Sequence, residues 1–413
     1  MSEDARLTVT WLDRDDATPP ARMLEELARG PGDHELALRG DACLVRSYAR
    51  AADAGALPAR PFAVATDRLT ASARTPGVIA SVALHELPRP RALAPDEVEV
   101  RVCAQGLNFR DVVMVMGWLP AHAWRGGVTA EGELGSDCAG VVTRVGAAVR
   151  DLAPGDRVAG GLSPSLGTYA TGPAAHLTKL PDGLAFVEAA ALVTCFVTAE
   201  VALTDLAGLT AGETVLIHSA AGGVGLVAVQ LALAAGARVI ATTSDDDKAA
   251  YLRALGVEHV VDSRRGWDRS GALADGVDVV LGSFTGRQFT SALALVRPFG
   301  RFIDIGKSDL YRNRQLGLER LAANVTYRVF DLNQWWVRYP ARVREVLARG
   351  LRERAAALAG GAGRLRRYPI TTFDLGHATD ALQHLAQGKH VGKIVVTVPT
   401  DGELPAHPAA QLT

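Results

Sequence analysis

The chain has 413 residues, 48% of them hydrophobic, and a formal net charge of −1. That length exceeds one ordinary domain and suits two lobes, each with a buried core. The near-neutral balance without a basic stripe argues against nucleic acid and anionic membrane surfaces; no apolar run reads as a membrane span, and the start MSEDARLTVT lacks the pattern of a signal peptide, so a cytoplasmic location is expected.

Residues 1–70 are poorly periodic: a strand at Leu7–Trp11, a Pro-Pro pair, a short helix around Arg22–Arg29 and a strand near Glu35–Val45, reading as a linker or small preceding element. From about Gly77 the pattern turns to short apolar strands broken by Gly and Pro, such as EVEVRVCAQGLN (97–108) and CAGVVTRVG (138–146) before the turn PGDRV (154–158). This pattern predicts a β-rich, partly closed lobe over 71–196. The next stretch, 197–330, alternates strands (TVLIHS, RVIATTS, HVVDS, VDVVLGS, GRFIDIG) with helices of about ten residues, which predicts βαβ units and a doubly wound parallel sheet. After it come VTYRVFDL, a long Arg/Ala helix near 340–358, a helix near His377–Gln387 and the strand KIVVTVP; residues 331–399 should complete the β-rich lobe, and 400–413 read as a disordered tail. The fold class is therefore α/β, a Rossmann-type sheet inserted in a β-rich barrel lobe, with the active site expected in the cleft between them.

The strongest local motif is HSAAGGVG (218–225), placed between a strand and a helix. Ala221, Gly222, Gly223, Val224 and Gly225 would bring backbone N–H groups and a helix N-terminus to a pyrophosphate. The end of the second strand carries Thr243 and Ser244 where an NAD site usually has Asp or Glu. The small hydroxyl leaves room for a 2′-phosphate, with Lys248 and Arg264 as charged donors, so NADPH is favoured over NADH. Asp245, Asp246 and Asp247 fit a helix N-cap and first turn. The four cysteines, Cys43, Cys103, Cys138 and Cys195, have no ligand spacing and are expected as reduced thiols. Lysine is scarce, limited to Lys179, Lys248, Lys307, Lys389 and Lys393, so each invites a question.

The lobe order resembles that of medium-chain dehydrogenases and reductases, whose GroES-like barrel lobe holds the inserted nucleotide domain. Alcohol dehydrogenases of that class carry a metal-binding cysteine and a Gly-His-Glu in the barrel lobe. Here Asn108 stands at the cysteine's place and GELGSD has no histidine before its first glutamate, so no metal site is expected. LNFRDVVMVMG (107–117), GSDCAGVVTRVG, APGDRVAG, HSAAGGVGLVAVQLA, RFIDIGKSD and QGKHVGKIVVTVP resemble, in that order, the enoylreductase domain of modular polyketide synthases, from about residue 75 to 399. The last motif is also similar to animal fatty acid synthase, and residues before 70 resemble a linker from a ketoreductase region.

The resemblance implies reduction of a 2-enoyl thioester tethered by phosphopantetheine to an acyl carrier protein, among neighbouring synthase domains. It implies Lys307, with Asp331 as partner acid, for protonation; the alternatives are that Lys307 binds a cofactor phosphate or forms a structural ion pair and that Asp331 is a helix cap. Ser283 and Gly306 are implied at the cofactor, and Asn108, Trp118 and Leu119 at the substrate. The family's Asn-Ser-Leu is here Gly282-Ser283-Phe284, and the segment 118–135 is longer than usual. Where the family often has a tyrosine, this chain has Leu119, which implies a 2R-methyl product from an α-methyl substrate. A zinc-free quinone or enone oxidoreductase and a non-catalytic NADPH-sensing module are the competing readings.

Overall fold

The computed structural model describes residues 12–14, 35–39, 42–46, 59–63, 68–87, 90–119, 132–264, 266–306, 308–399 and 401–407. They fall into two compact units, Met1–Leu57 and Pro58–Thr413. In the first unit, β1 (Leu12–Arg14) pairs parallel with β2 (Glu35–Arg39), which pairs antiparallel with β3 (Ala42–Arg46). The strand expected near Glu35–Val45 is thus two strands, separated in sequence by Gly40-Asp41, a turn-forming pair. The strand and helix expected at 7–11 and 22–29 lie outside the described residues.

The second unit opens with β4 (Ala59–Ala63), β5 (Leu69–Ala73) and β6 (Val82–Glu86), followed by β7 (Glu97–Gly106), helix α1 (Phe109–Val115), β8 (Asp137–Val145), β9 (Arg157–Gly161), β10 (Tyr169–Pro173) and β11 (Leu177–Lys179). Strand β7 carries Val98, Val100, Val102 and Ala104 at every second position, all buried, so one face is core by the period of a strand. It is the hub of the barrel-like lobe, pairing antiparallel with β8 and β10.

Helix α2 (Phe186–Glu200) follows and continues as a π-type turn to Leu206. Ten of its residues from Ala189 to Ala199 are buried, since it lies under the strands of the barrel lobe and beside the first helix of the nucleotide domain. This overturns the expectation about apolar runs: among the described residues, Phe186–Leu206 is long and apolar enough to cross a membrane, with a mean hydropathy of 1.8. Its apolarity comes from burial inside the protein, which covers 78% of that stretch.

The nucleotide domain contains β12 (Thr214–Ile217), α3 (Gly223–Ala234), β13 (Arg238–Thr243), α4 (Asp246–Ala254), β14 (His259–Asp262), β15 (Val277–Gly282), α5 (Gly286–Ala294), β16 (Val296–Asp304) and β17 (Thr326–Val329). Its six strands are all parallel, in the order β14-β13-β12-β15-β16-β17. The order reverses at β12, so the carboxyl ends of β12 and β15 flank the crevice where ligands bind in such sheets. Helices α6 (Leu332–Arg338), α7 (Pro340–Leu358) and α8 (Ala378–Gln387) lead back to β18 (Ile370–Asp374) and β19 (Lys393–Thr397), and β19 pairs antiparallel with β7. The α/β expectation of a Rossmann sheet inserted in a β-rich GroES-like lobe describes this fold. The disordered tail does not: Asp401–His407 forms β20, pairing antiparallel with β4 and parallel with β6. A strand edge supplies pairing partners that a short polar segment cannot reveal by its own composition.

Candidate active site

A cavity of about 630 Å³ opens between the carboxyl edge of the nucleotide sheet and the barrel lobe. The glycine loop forms one wall, with Ala221, Gly222, Gly223, Val224 and Gly225 all facing it. A Cβ on Gly225 would sit 2.5 Å from the Ser219 carbonyl oxygen and 2.6 Å from the Ala220 Cα, so only glycine fits. Gly222 is the N-cap of α3 and no side chain caps that helix, which leaves its first amides facing the cavity. The loop is strapped to the barrel lobe: the Gly392 N–H donates to the Ala221 carbonyl at 2.8 Å.

Further along the sheet edge, Thr243, Ser244 and the buried Lys248 line the cavity. The Lys248 amine donates to the Gly388 carbonyl and lies 3.7 Å from the Asp245 carboxylate. Asp245 caps α4 by accepting from the Lys248 N–H at 2.9 Å, with Asp246 and Asp247 in the first turn. Arg264 is exposed and outside the cavity wall, where Ser263 stands instead. Ser283 and Gly306 line the wall together, and a Cβ on Gly306 would fall 2.7 Å from the Ser283 Cα. Phe284, the departure from the usual leucine, turns into the core, its ring centroid 4.0 Å from that of His218 and 5.0 Å from that of Trp267. His218 lines the cavity; burial lowers its pKa to about 4, so it is a neutral ring near neutral pH.

On the substrate side, Asn108, Leu119 and Asp331 line the cavity. Trp118 is 60% exposed and does not. Asp331 is also the N-cap of α6, accepting from the Asn333 N–H at 3.0 Å. Lys307 and most of the segment after Leu119 lie outside the described residues; Gly306 and Tyr311, on either side of Lys307, line the cavity.

Sequence reasoning missed the most buried polar cluster of the site. Lys393 Nζ donates to Asn108 Oδ1 at 2.6 Å and to Asp137 Oδ2 at 3.3 Å. Asp137 also accepts from Thr194 Oγ1 at 2.5 Å and from Asn108 Nδ2 at 3.0 Å. Asn108, Thr194, Cys195 and Lys393 all face the cavity. Burial pulls the Lys393 pKa down, but the Asp137 carboxylate, which accepts a hydrogen bond from it, helps hold the ammonium above its ordinary value. Burial pushes the Cys195 thiol up, so it stays protonated. The available signals were the rarity of lysine and the motif QGKHVGKIVV.

The residues fit a nicotinamide dinucleotide: an uncapped helix N-terminus and a glycine cradle at the switch point are what its pyrophosphate needs. They do not fit a catalytic zinc. At the place where the related dehydrogenases hold metal, an ammonium already occupies the carboxylate and the amide, and it would repel a cation. Among the described residues no group of three His, Cys, Asp or Glu could hold a metal ion.

Comparison with known proteins agrees with this geometry. The family profile described as alcohol dehydrogenase GroES-like domain matches residues 94–182, and that described as zinc-binding dehydrogenase matches 223–349. The chain is 41% identical over 390 residues to the spectinabilin polyketide synthase system protein NorB of Streptomyces orinoci, covering 93% of this chain and 17% of that protein. It spans about a tenth to a fifth of the length of such curated relatives. The crystal structure of CurK enoyl reductase superposes with a TM-score of 0.69 at 34% identity, covering 80% of this chain and 99% of that one. A mycobacterial protein solved in complex with NADPH gives a TM-score of 0.67 at 26% identity, covering 80% of this chain and all of that one.

Proposed function

The chain belongs to the enoyl reductases of polyketide synthases, within the medium-chain dehydrogenase/reductase superfamily, and from that premise we propose that it reduces the 2,3-double bond of a 2-enoyl thioester with NADPH. We further propose that the substrate is held by phosphopantetheine on an acyl carrier protein, among neighbouring synthase domains and in the cytoplasm. Residues 71–196 and 331–399 would form the substrate lobe, 197–330 the nucleotide domain, and 1–70 a preceding linker. The observation that carries the reading is the convergence of the α3 N-terminus and a fully buried ammonium on one cavity.

A bound nicotinamide would supply a hydride to Cβ of the conjugated thioester. The loop amides of 223–225 would hold the pyrophosphate, with Ala221 and Gly222 shaping the cradle, and Thr243, Ser244 and Lys248 the 2′-phosphate, with Arg264 nearby on the exposed turn after β14. Ser283 and Gly306 would bound the cofactor where their backbones come together. Lys307 and Asp331 would deliver the proton to Cα, with Asn108, Leu119 and Trp118 shaping acyl entry. With leucine at 119 in place of a tyrosine donor, an α-methyl substrate would give the 2R product, and Leu119→Tyr would change that outcome.

Purified chain should oxidise NADPH with crotonyl-pantetheine, use NADH less well and keep its activity after chelation. Faster turnover of a simple quinone than of the thioester would establish the competing oxidoreductase reading. No oxidation with any enoyl thioester would leave the non-catalytic one.

A further inference from the structure

Two buried lysines line the cavity, and each is held by a different set of partners. Lys248 stands in the first turn of α4, tied to Asp245 and to the Gly388 carbonyl, where a cofactor phosphate would lie. Lys393 stands at the start of β19 beneath the glycine loop, among groups from three elements of the barrel side and the central helix. Nothing in the hydride donation itself calls for this second cation. Addition of hydride at Cβ does: the π pair of the double bond shifts, and negative charge gathers on the thioester oxygen.

We propose that Lys393, aimed by Asn108 and Asp137, is the oxyanion-binding group of this reductase, donating an N–H to the thioester oxygen as the enolate forms. The inference rests on the enoyl reductase reading. No bond to Lys393 is made or broken in the step. The hydride completes a C–H bond at Cβ, the enolate oxygen takes the charge, and the proton that later restores the carbonyl arrives at Cα from another donor.

Four observations carry this. Lys393 and Asp137 are 4% and 1% exposed, and a pair so deeply buried has little to offer stability that apolar groups could not. The ammonium has three donors, and two meet oxygen acceptors; its other close neighbour is the protonated sulfur of Cys195, a weak acceptor that an oxyanion would displace. The alkyl chain is confined by glycines on two sides: a Cβ would lie 2.8 Å from its Cε if placed on Gly106, and 3.2 Å from its Cδ if placed on Gly223. The preceding residue, Gly392, is bonded to Ala221, so the amine is fixed relative to the loop that would hold the cofactor. A charge fixed before reaction, in a wall shielded from water, is the arrangement that favours a developing anion most.

The test uses the whole chain with three readouts: turnover of crotonyl-pantetheine, NADPH affinity by fluorescence titration, and the ultraviolet absorbance of the enolate of acetoacetyl-pantetheine bound with NADP⁺. Lys393→Met should slow turnover roughly 10²–10³-fold, as loss of one oxyanion donor does elsewhere. NADPH affinity should stay unchanged, and the enolate signal of the wild type should vanish. Because Lys393→Met alone strands a buried carboxylate, the double variant Lys393→Met/Asp137→Asn removes both charges; it should fold like the wild type and remain slow. A double variant that recovers wild-type turnover overturns the proposal in favour of a structural pair. So does a Lys393→Met protein that loses NADPH affinity but keeps the enolate signal, which would make the lysine a phosphate ligand. Wild-type protein that binds the enolate yet reduces no enoyl thioester would sink the reductase reading while sustaining the oxyanion site. Turnover without any enolate signal would do the reverse.

Discussion

Replacing Gly223 by alanine puts the contact between the glycine loop and the central helix to a quantitative test. The new methyl carbon would lie 2.6 Å from Cys195 Sγ and 3.2 Å from Lys393 Cδ. Comfortable contact of this kind needs about 3.5–4 Å, so roughly 1 Å of overlap with the sulfur must be absorbed. Cys195 is 1% exposed on α2 and its neighbours are buried, which leaves its side chain few staggered alternatives. Overpacking of this sort costs about 1–3 kcal/mol, and the better helix propensity of alanine returns at most about 1 kcal/mol. The net expectation is a loss of up to about 3 kcal/mol and weaker NADPH binding, since the amide at 223 must move. Because the principal obstacle is one side-chain atom, Cys195→Ala should relieve it, with a coupling of about 0.5–3 kcal/mol between the two sites. Urea midpoints and NADPH titrations of the wild type, both single variants and the double variant measure that coupling. Equal costs of Gly223→Ala with and without Cys195 would refute the packing argument. Gly225→Ala provides the contrast: its methyl meets Ser219 and Ala220 backbone, so no side-chain truncation should rescue it.

At Asp331, Asn retains an N-cap and Ala loses one, so Asp331→Ala should cost about 0.5–2 kcal/mol and Asp331→Asn little. If Asp331 also serves protonation, Asp331→Asn slows turnover at unchanged stability; an Asn variant with wild-type turnover reduces the residue to its cap. Lys248→Ala should weaken NADPH by about 1.5–3 kcal/mol and leave NADH nearly untouched, the loss of one charged phosphate contact; equal weakening of both cofactors would show that its bond to Gly388 is what matters. Glu99 titrates at about 2 in the folded chain: burial alone would raise it, but hydrogen bonds from Arg144, Arg68 and Thr143 override that. Its folded pKa lies below the ordinary 4.5, so its stabilisation is complete above that value and is lost as pH falls toward 2. Arg144→Met should therefore move the acid-unfolding midpoint to higher pH, and an unmoved midpoint would count against the pair.

The local features were legible because their causes lie within a few residues. Alternation at Val98, Val100 and Val102 marks a strand with one buried face, and HSAAGGVG marks a tight strand-to-helix turn. The three acids after Ser244 read correctly as a cap and a first turn. Reach is different. Lys248 and Arg264 were equal candidates by sequence, yet Lys248 lines the cavity and Arg264 faces solvent, since the turn after β14 presents Ser263 instead.

By itself, then, the sequence determined the class of fold, the order of its lobes and the wall of the site built by one continuous loop, since hydrophobic period and glycine spacing act over short range. Tertiary structure alone decided the other wall. Asn108, Asp137, Thr194 and Lys393 come from the N-cap of α1, the start of β8, the central helix and the start of β19, and Lys393 meets Asn108 across 285 residues of chain. No periodicity records such a meeting. It exists because β19 returns to pair with β7, which brings an ammonium and a carboxylate together in the buried interior, where each offsets part of the cost of burying the other.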